Sequence, residues 1–195
     1  MYLNLKMLLA GAGVFVELLN GIVYYTDIFR GKTKPHLYTF LIWGIVISIA
    51  FAGQLVSGAG PGAWVTGMSA LIALGVVPLC FWFGTKDIAR FDTIILAAAL
   101  FAIVPWIITK DPLWSVILAT IIDALAILPT IRKTWNAPHS ESLLAWNLAS
   151  IKLLLGISAL STFSLMTWVY PAQAFVMNSI LIGVILYRRK TVGNY

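Results

Sequence analysis

Glu17, Asp123 and Lys152 are ionisable residues inside stretches otherwise composed for lipid. Each lies about ten or more residues from the nearest polar connection. A charge at that depth costs roughly 2.5–3.5 kcal/mol on insertion scales and faces a bundle interior or a cavity. Glu17, Asn20 and Tyr24 repeat at helical spacing and share one stripe. Thr120 and Asp123 form a similar stripe later in the chain, and Asn178 lies at mid-depth in the last apolar stretch. Lys152 is flanked at helical spacing by Ala145, Ala149, Gly156 and Ala159, small residues that let neighbouring helices approach. Asp123 and Lys152 are expected to contact each other or one cavity, as a buried ion pair that fixes packing or as part of a transport site, with Glu17 and Asn178 lining that cavity. Glu17, the carboxyl left over, is the candidate to hold a proton part of the time. Otherwise it is a protonated glutamate hydrogen-bonded within the bundle.

Pro129 removes a backbone donor inside an apolar stretch and is read as a hinge or as a tolerated kink. Trp43 and Trp146 are candidate cavity walls or packing residues, and His36 and His139 read as helix-entry residues. One cysteine and two histidines leave no soft-ligand metal site. No nucleophile–base set or cofactor motif occurs, so the reading is not an enzyme and needs no cofactor. Lys152 with Asp123 superficially matches a retinal Schiff base and counter-ion, but that chemistry places its lysine on a seventh helix, and the last stretch here has none.

These residues must be positioned by transmembrane helices. The 195 residues are 61% hydrophobic and 10% charged, against roughly 25% charged in soluble domains. The apolar residues fall into runs at about 5–28, 37–57, 63–83, 91–109, 113–132, 142–161 and 168–187, each near the ~20 residues a bilayer requires. The first run is too long for a secretory signal and lacks its cleavage site. The chain is thus expected to be an all-α membrane protein of seven transmembrane helices. Short loops on one side hold Arg30, Lys32, Lys34, Lys86, Arg90, Arg132, Lys133, Arg188, Arg189 and Lys190, and the other side holds Lys6 and Lys110. Positive residues stay inside, so the N-terminus is expected outside and the C-terminus in the cytoplasm, in the cell (inner) membrane. The net charge of +6 therefore belongs to loops rather than to a nucleic-acid surface. Trp64, Trp82, Trp106, Trp114, Trp135 and Trp168 fall near the run ends, where indole rings favour the interface.

Sliding the chain by 103 positions aligns Pro35-His36 with Pro138-His139, Trp43 with Trp146, Gly53 with Gly156, Ile28 with Ile131, Asn20 with Asp123 and Arg30 with Lys133. One added residue then aligns Trp64 with Trp168. The shift spans four helices, so the two sets of three have the same orientation. The expected organisation is 1–86 as a first three-helix unit, 87–111 as a linker helix and 112–195 as a second unit parallel to the first.

With this repeat the chain resembles the SWEET and PQ-loop transporter superfamily along essentially its whole length. The family's Pro-Gln pair is matched by Pro129-Thr130 in the second unit, and Thr26-Asp27 occupies that place in the first. Asn178 is similar to the substrate-facing asparagine of the last SWEET helix; its counterpart in the first unit is Leu74 or Gly75. The resemblance implies alternating access to a midplane site, with a small polar solute (sugar, amino acid or vitamin-like) as partner besides the lipid bilayer. Uniport and proton coupling both stay open, as does a homo-oligomer. The alternative is a seven-helix receptor or sorting protein of KDEL-receptor-like architecture.

Overall fold

The computed structural model describes residues 2–32, 35–84, 90–136 and 138–192. Lys34, Lys86 and the expected boundary at 86/87 lie outside the described residues, as do the side chains of Pro129, Arg132 and Lys133. The described residues form helices and their connections, with no strand among them. They are α1 (Tyr2–Phe29), α2 (Leu37–Val56), α3 (Ala63–Phe83), α4 (Arg90–Phe101), α5 (Val104–Thr109), α6 (Leu113–Ala126), α7 (Leu128–Asn136), α8 (Leu143–Ser158) and α9 (Leu165–Val192). Four stretches, Asn4–Phe29, Leu37–Val56, Gly60–Phe83 and Leu165–Thr191, are long and apolar enough to cross a membrane. Thr93–Thr109, Leu113–Ala126 and Leu143–Ser158 are apolar but shorter.

The outer surface agrees with a lipid environment. Leu8, Trp82 and Ile108 are 71%, 76% and 74% exposed, and Trp64, Trp114, Trp135 and Trp168 are exposed as well. Water would leave such a surface uncovered; hydrocarbon solvates it. Backbone groups have no partner in hydrocarbon, so each chain segment closes its own hydrogen bonds as helix.

Helix ends follow local chemistry. At the end of α1, Gly31 has φ of 68°, and the Lys32 N–H returns to the Asp27 carbonyl at 2.9 Å. Gly58 has φ of 67° after α2, and the Ala59 N–H returns to the Gln54 carbonyl at 2.9 Å. Both are left-handed glycine caps that satisfy the last carbonyls. His36 caps α2 by accepting from the Thr39 N–H, whereas α8 is capped by Ser142; His139 sits in the short turn Pro138–Ser140 before it.

The stretches expected as single helices at 91–109 and 113–132 are each broken. Pro105 has no N–H for the Phe101 carbonyl, and α4 gives way to α5 at Ala102 and Ile103. The Trp106 N–H is taken up instead by the fully buried Ser115 hydroxyl of α6 at 3.1 Å. Likewise α6 stops at Ala126 and α7 begins at Leu128. Backbone Pro129 cannot donate to the Leu125 carbonyl.

Helix α2 is central, packing on α3, α4, α6 and α9. Val46, Ala50, Val76, Ala99, Val116 and Ala119 are fully buried in the main core around it. Helix α3 also packs on α1, while α9 packs on both α6 and α8. Two further seams cross the molecule, α1 against α8 and α2 against α6. Both are close approaches. A Cβ on Gly53 of α2 would collide with the Val116 side chain of α6. One on Gly13 of α1 would stand 3.3 Å from the Leu155 Cβ of α8.

Candidate functional site

The α1–α8 approach at Gly13 brings Lys152 of α8 against Glu17 of α1, with Nζ to Oε2 at 2.5 Å. Lys152 also donates to the Ser69 hydroxyl of α3 at 3.0 Å. The Lys152 and Glu17 side chains are only 12% and 5% exposed. Ser69 in turn donates to the Val65 carbonyl of its own helix at 3.0 Å, which leaves its lone pairs for the ammonium. Two of the three ammonium donors are thus satisfied by protein. A buried charge persists only when paired and hydrogen-bonded in this way.

The structure therefore corrects the expected pairing. Lys152 meets Glu17 rather than Asp123, and the ion pair ties α1 to α8 rather than α6 to α8. Asp123 is half-buried on α6. It faces the Gln173 amide of α9 and lies within electrostatic range of Lys152. Tyr170, one turn before Gln173 on α9, is within electrostatic range of both Asp123 and Glu17. Lys152, Glu17 and Ser69 thus form a hydrogen-bonded cluster across α1, α3 and α8, with Asp123 and Tyr170 of α6 and α9 within electrostatic range of it.

Comparison with known protein families, with curated proteins and with solved structures finds no match.

The other expected residues are dispersed around this cluster. Asn20, one turn beyond Glu17 on α1, is half-buried. Asn178 is 8% exposed on α9, eight residues or about 12 Å along the helix from Tyr170. Trp43 packs against the main core and meets Phe40 edge-on at 5.5 Å between ring centroids. Trp146 packs on Ile127, Leu181 and Ile185, and its Nε1–H donates to the Glu141 carboxylate at 3.1 Å. Both tryptophans thus pack against neighbouring side chains near the starts of their helices. A recess between α2 and α3, lined by Ser48, Phe51, Trp64, Met68, Leu71 and Leu74 among others, contains none of the ionisable groups.

Ser69, Tyr170 and Gln173 had no sequence signal of their own. Neutral polar residues are unremarkable in an apolar helix. The offset that aligns Trp64 with Trp168 could have drawn them out, because it also sets Thr66 on Tyr170 and Ser69 on Gln173. Among the described residues no group of three or more His, Cys, Asp or Glu side chains is arranged for a metal ion.

Proposed function

We propose that this chain is a carrier for a small polar solute, working by alternating access between two parallel three-helix units. Spans 1–3 are α1, α2 and α3; the linker is α4 with α5; and spans 5–7 are α6 with α7, α8 and α9. The neighbour relations support this reading. Helix α3 packs on both α1 and α2 as α9 packs on both α6 and α8, and the seams α1–α8 and α2–α6 exchange under the repeat. Gly13 and Val116, and likewise Gly53 and Gly156, stand 103 positions apart, and Gly13, Gly53 and Val116 lie at those seams. This pattern fits the similarity to SWEET and PQ-loop transporters, with the N-terminus outside and the C-terminus in the cytoplasm.

The observation that carries the proposal is the Lys152–Glu17 ion pair at the seam between the units, with Asp123, Tyr170 and Gln173 around it. Charged groups are expensive there, and a purely structural seam could be packed with apolar residues at no loss of stability. Solute entry from one side and release to the other would follow from rocking α1, α2 and α3 against α6, α8 and α9.

The test is flux. Purified protein in proteoliposomes should accelerate exchange of a radiolabelled sugar, amino acid or vitamin from a mixed panel, and Lys152→Met should abolish it. Saturable binding of a panel member with no flux in either direction would replace the carrier by the receptor reading.

A further inference from the structure

The two halves of the polar cluster differ in one respect. On α1 and α3, Glu17 and Ser69 receive an ammonium, that of Lys152, which reaches across from α8. On α6 and α9 the corresponding pair is Asp123 and Gln173. Gln173 is the counterpart of Ser69 at the offset of 104, and Asp123 lies one turn beyond Thr120, the counterpart of Glu17 at the offset of 103. The ammonium for this second pair would have to come from α2, as the first comes from α8. The residue on α2 that corresponds to Lys152 is Ile49, buried in the core with 5% exposure. Among the described residues the second half therefore has a carboxyl group and an amide but no cation at the position matching Lys152.

The Gln173 amide is accordingly unmet. Both the oxygen and the nitrogen of the Gln173 amide are buried and lack a hydrogen-bond partner, although the amide faces Asp123. Tyr170 is 6% exposed, and among the described residues nothing hydrogen-bonds its hydroxyl. Asp123 has no ion pair among the described residues; its nearby cation, Lys152, is already engaged by Glu17 and Ser69. A carboxyl group with no ion pair among the described residues, an amide oxygen and a phenol oxygen thus gather on α6 and α9. An ammonium group has three donors and no acceptor, and it also binds the face of a phenol ring.

Resting on the carrier reading, we infer that Asp123, Gln173 and Tyr170 form the subsite for a primary ammonium group, so that the solute is a small amine rather than a neutral polyol. The solute's ammonium stands to Asp123 and Gln173 as Lys152 stands to Glu17 and Ser69. An ammonium supplies the charge that holds the Asp123 carboxyl ionised, and a neutral hydroxyl in the same place does not, which is the basis for discrimination.

Thermal unfolding of the purified full chain in detergent at pH 7 tests this with matched probes: ethanolamine against ethylene glycol, 1,5-diaminopentane against 1,5-pentanediol, glucosamine against glucose. At least one amine should raise the unfolding temperature in a saturable way while its hydroxyl twin binds about tenfold more weakly or worse. Asp123→Asn should erase that difference, and Tyr170→Phe should reduce amine affinity while leaving the unliganded unfolding temperature near wild type. If Asp123→Asn does not fold, Tyr170→Phe and Gln173→Leu carry the test on their own. Equal binding of both twins, no binding of any amine, or undiminished amine binding by the variants would overturn the inference. Failure here with saturable flux of a neutral solute would leave the carrier reading intact. Amine binding without flux would overturn the carrier and keep the subsite.

Discussion

Lys152 is the residue on which two helices depend. Its ammonium is held by Glu17 of α1 and Ser69 of α3, and with 12% side-chain exposure it has little recourse to water. Removing one member of such a pair leaves the other charged and uncompensated, which costs about 3–5 kcal/mol, whereas replacing both by neutral residues of similar volume is near neutral. Glu17→Gln and Lys152→Met should therefore each lower the unfolding temperature and the folded yield strongly. The double variant should recover most of the loss. Chemical unfolding in detergent reads the difference, and additive losses would show that the two side chains do not interact in the folded protein. Asp123 makes no such pair among the described residues, so Asp123→Asn should fold about as well as wild type while losing the proposed solute recognition.

At the scale of elements, Pro171 inside α9 sets a constraint that reaches α2. Proline has no N–H for the Thr167 carbonyl one turn earlier. That carbonyl instead accepts from Gln54 Nε2 at 2.8 Å, 113 positions away in sequence. Gln54 is 1% exposed, so deleting its amide would strand a buried carbonyl. Gln54→Leu should cost about 1–3 kcal/mol. In a Pro171→Ala background the helix supplies its own donor, and the same change should cost less. Equal losses in both backgrounds would break the link between the proline and the glutamine. Nearby, a Cβ on Gly62 would meet the Gly156 carbonyl oxygen at 2.6 Å and the Leu160 nitrogen at 2.8 Å. Backbone cannot swing aside as a side chain does. Gly62→Ala should therefore destabilise by about 1–3 kcal/mol, more than Gly53→Ala, whose obstacle is a valine methyl.

For the whole molecule, the end of the bundle where α1 begins is drawn shut. The Ser161 N–H donates to the Ala59 carbonyl at 2.8 Å, joining the α2–α3 and α8–α9 connections. Ala59, Ala63 and Leu160 form a small buried cluster beneath it, and the Ser57 hydroxyl touches the Met166 sulfur at 3.4 Å. The alternating access we propose requires these contacts to part. A Ser57→Cys, Met166→Cys variant joined by a short thiol cross-linker should lose flux and regain it on reduction. The native Cys80 is buried and free, so it should not compete. Undiminished flux in the cross-linked protein would place the moving gate elsewhere. For orientation, a reporter active only in the cytoplasm should be active after Tyr195 and silent at the N-terminus; the reverse result would invert the topology.

The local features were legible because bilayer thickness and backbone hydrogen bonding act on consecutive residues. Run length and composition located the apolar helical stretches, four of them long enough to cross a membrane, and loop lysines and arginines gave the expected sidedness. The breaks beside Pro105 and Pro129 follow from a missing donor, but Pro171 lies inside an unbroken α9, so a proline in the chain does not by itself say whether its helix breaks. The residues that carry charge in the interior were legible too, because an ionisable side chain in an apolar run is conspicuous one residue at a time. What they touch was not. Asp123 and Lys152 are consecutive in sequence among the charges inside apolar runs, yet the α1–α8 seam, closed by Gly13 against Leu155, hands the lysine to Glu17 instead. Helical spacing fixes which residues share a stripe on one helix, but it contains nothing about which stripe of another helix lies opposite. That choice rests on close approaches between small residues far apart in sequence. It is also why Ser69, Tyr170 and Gln173, plain polar residues in the chain, became partners of the charged groups only in the folded bundle.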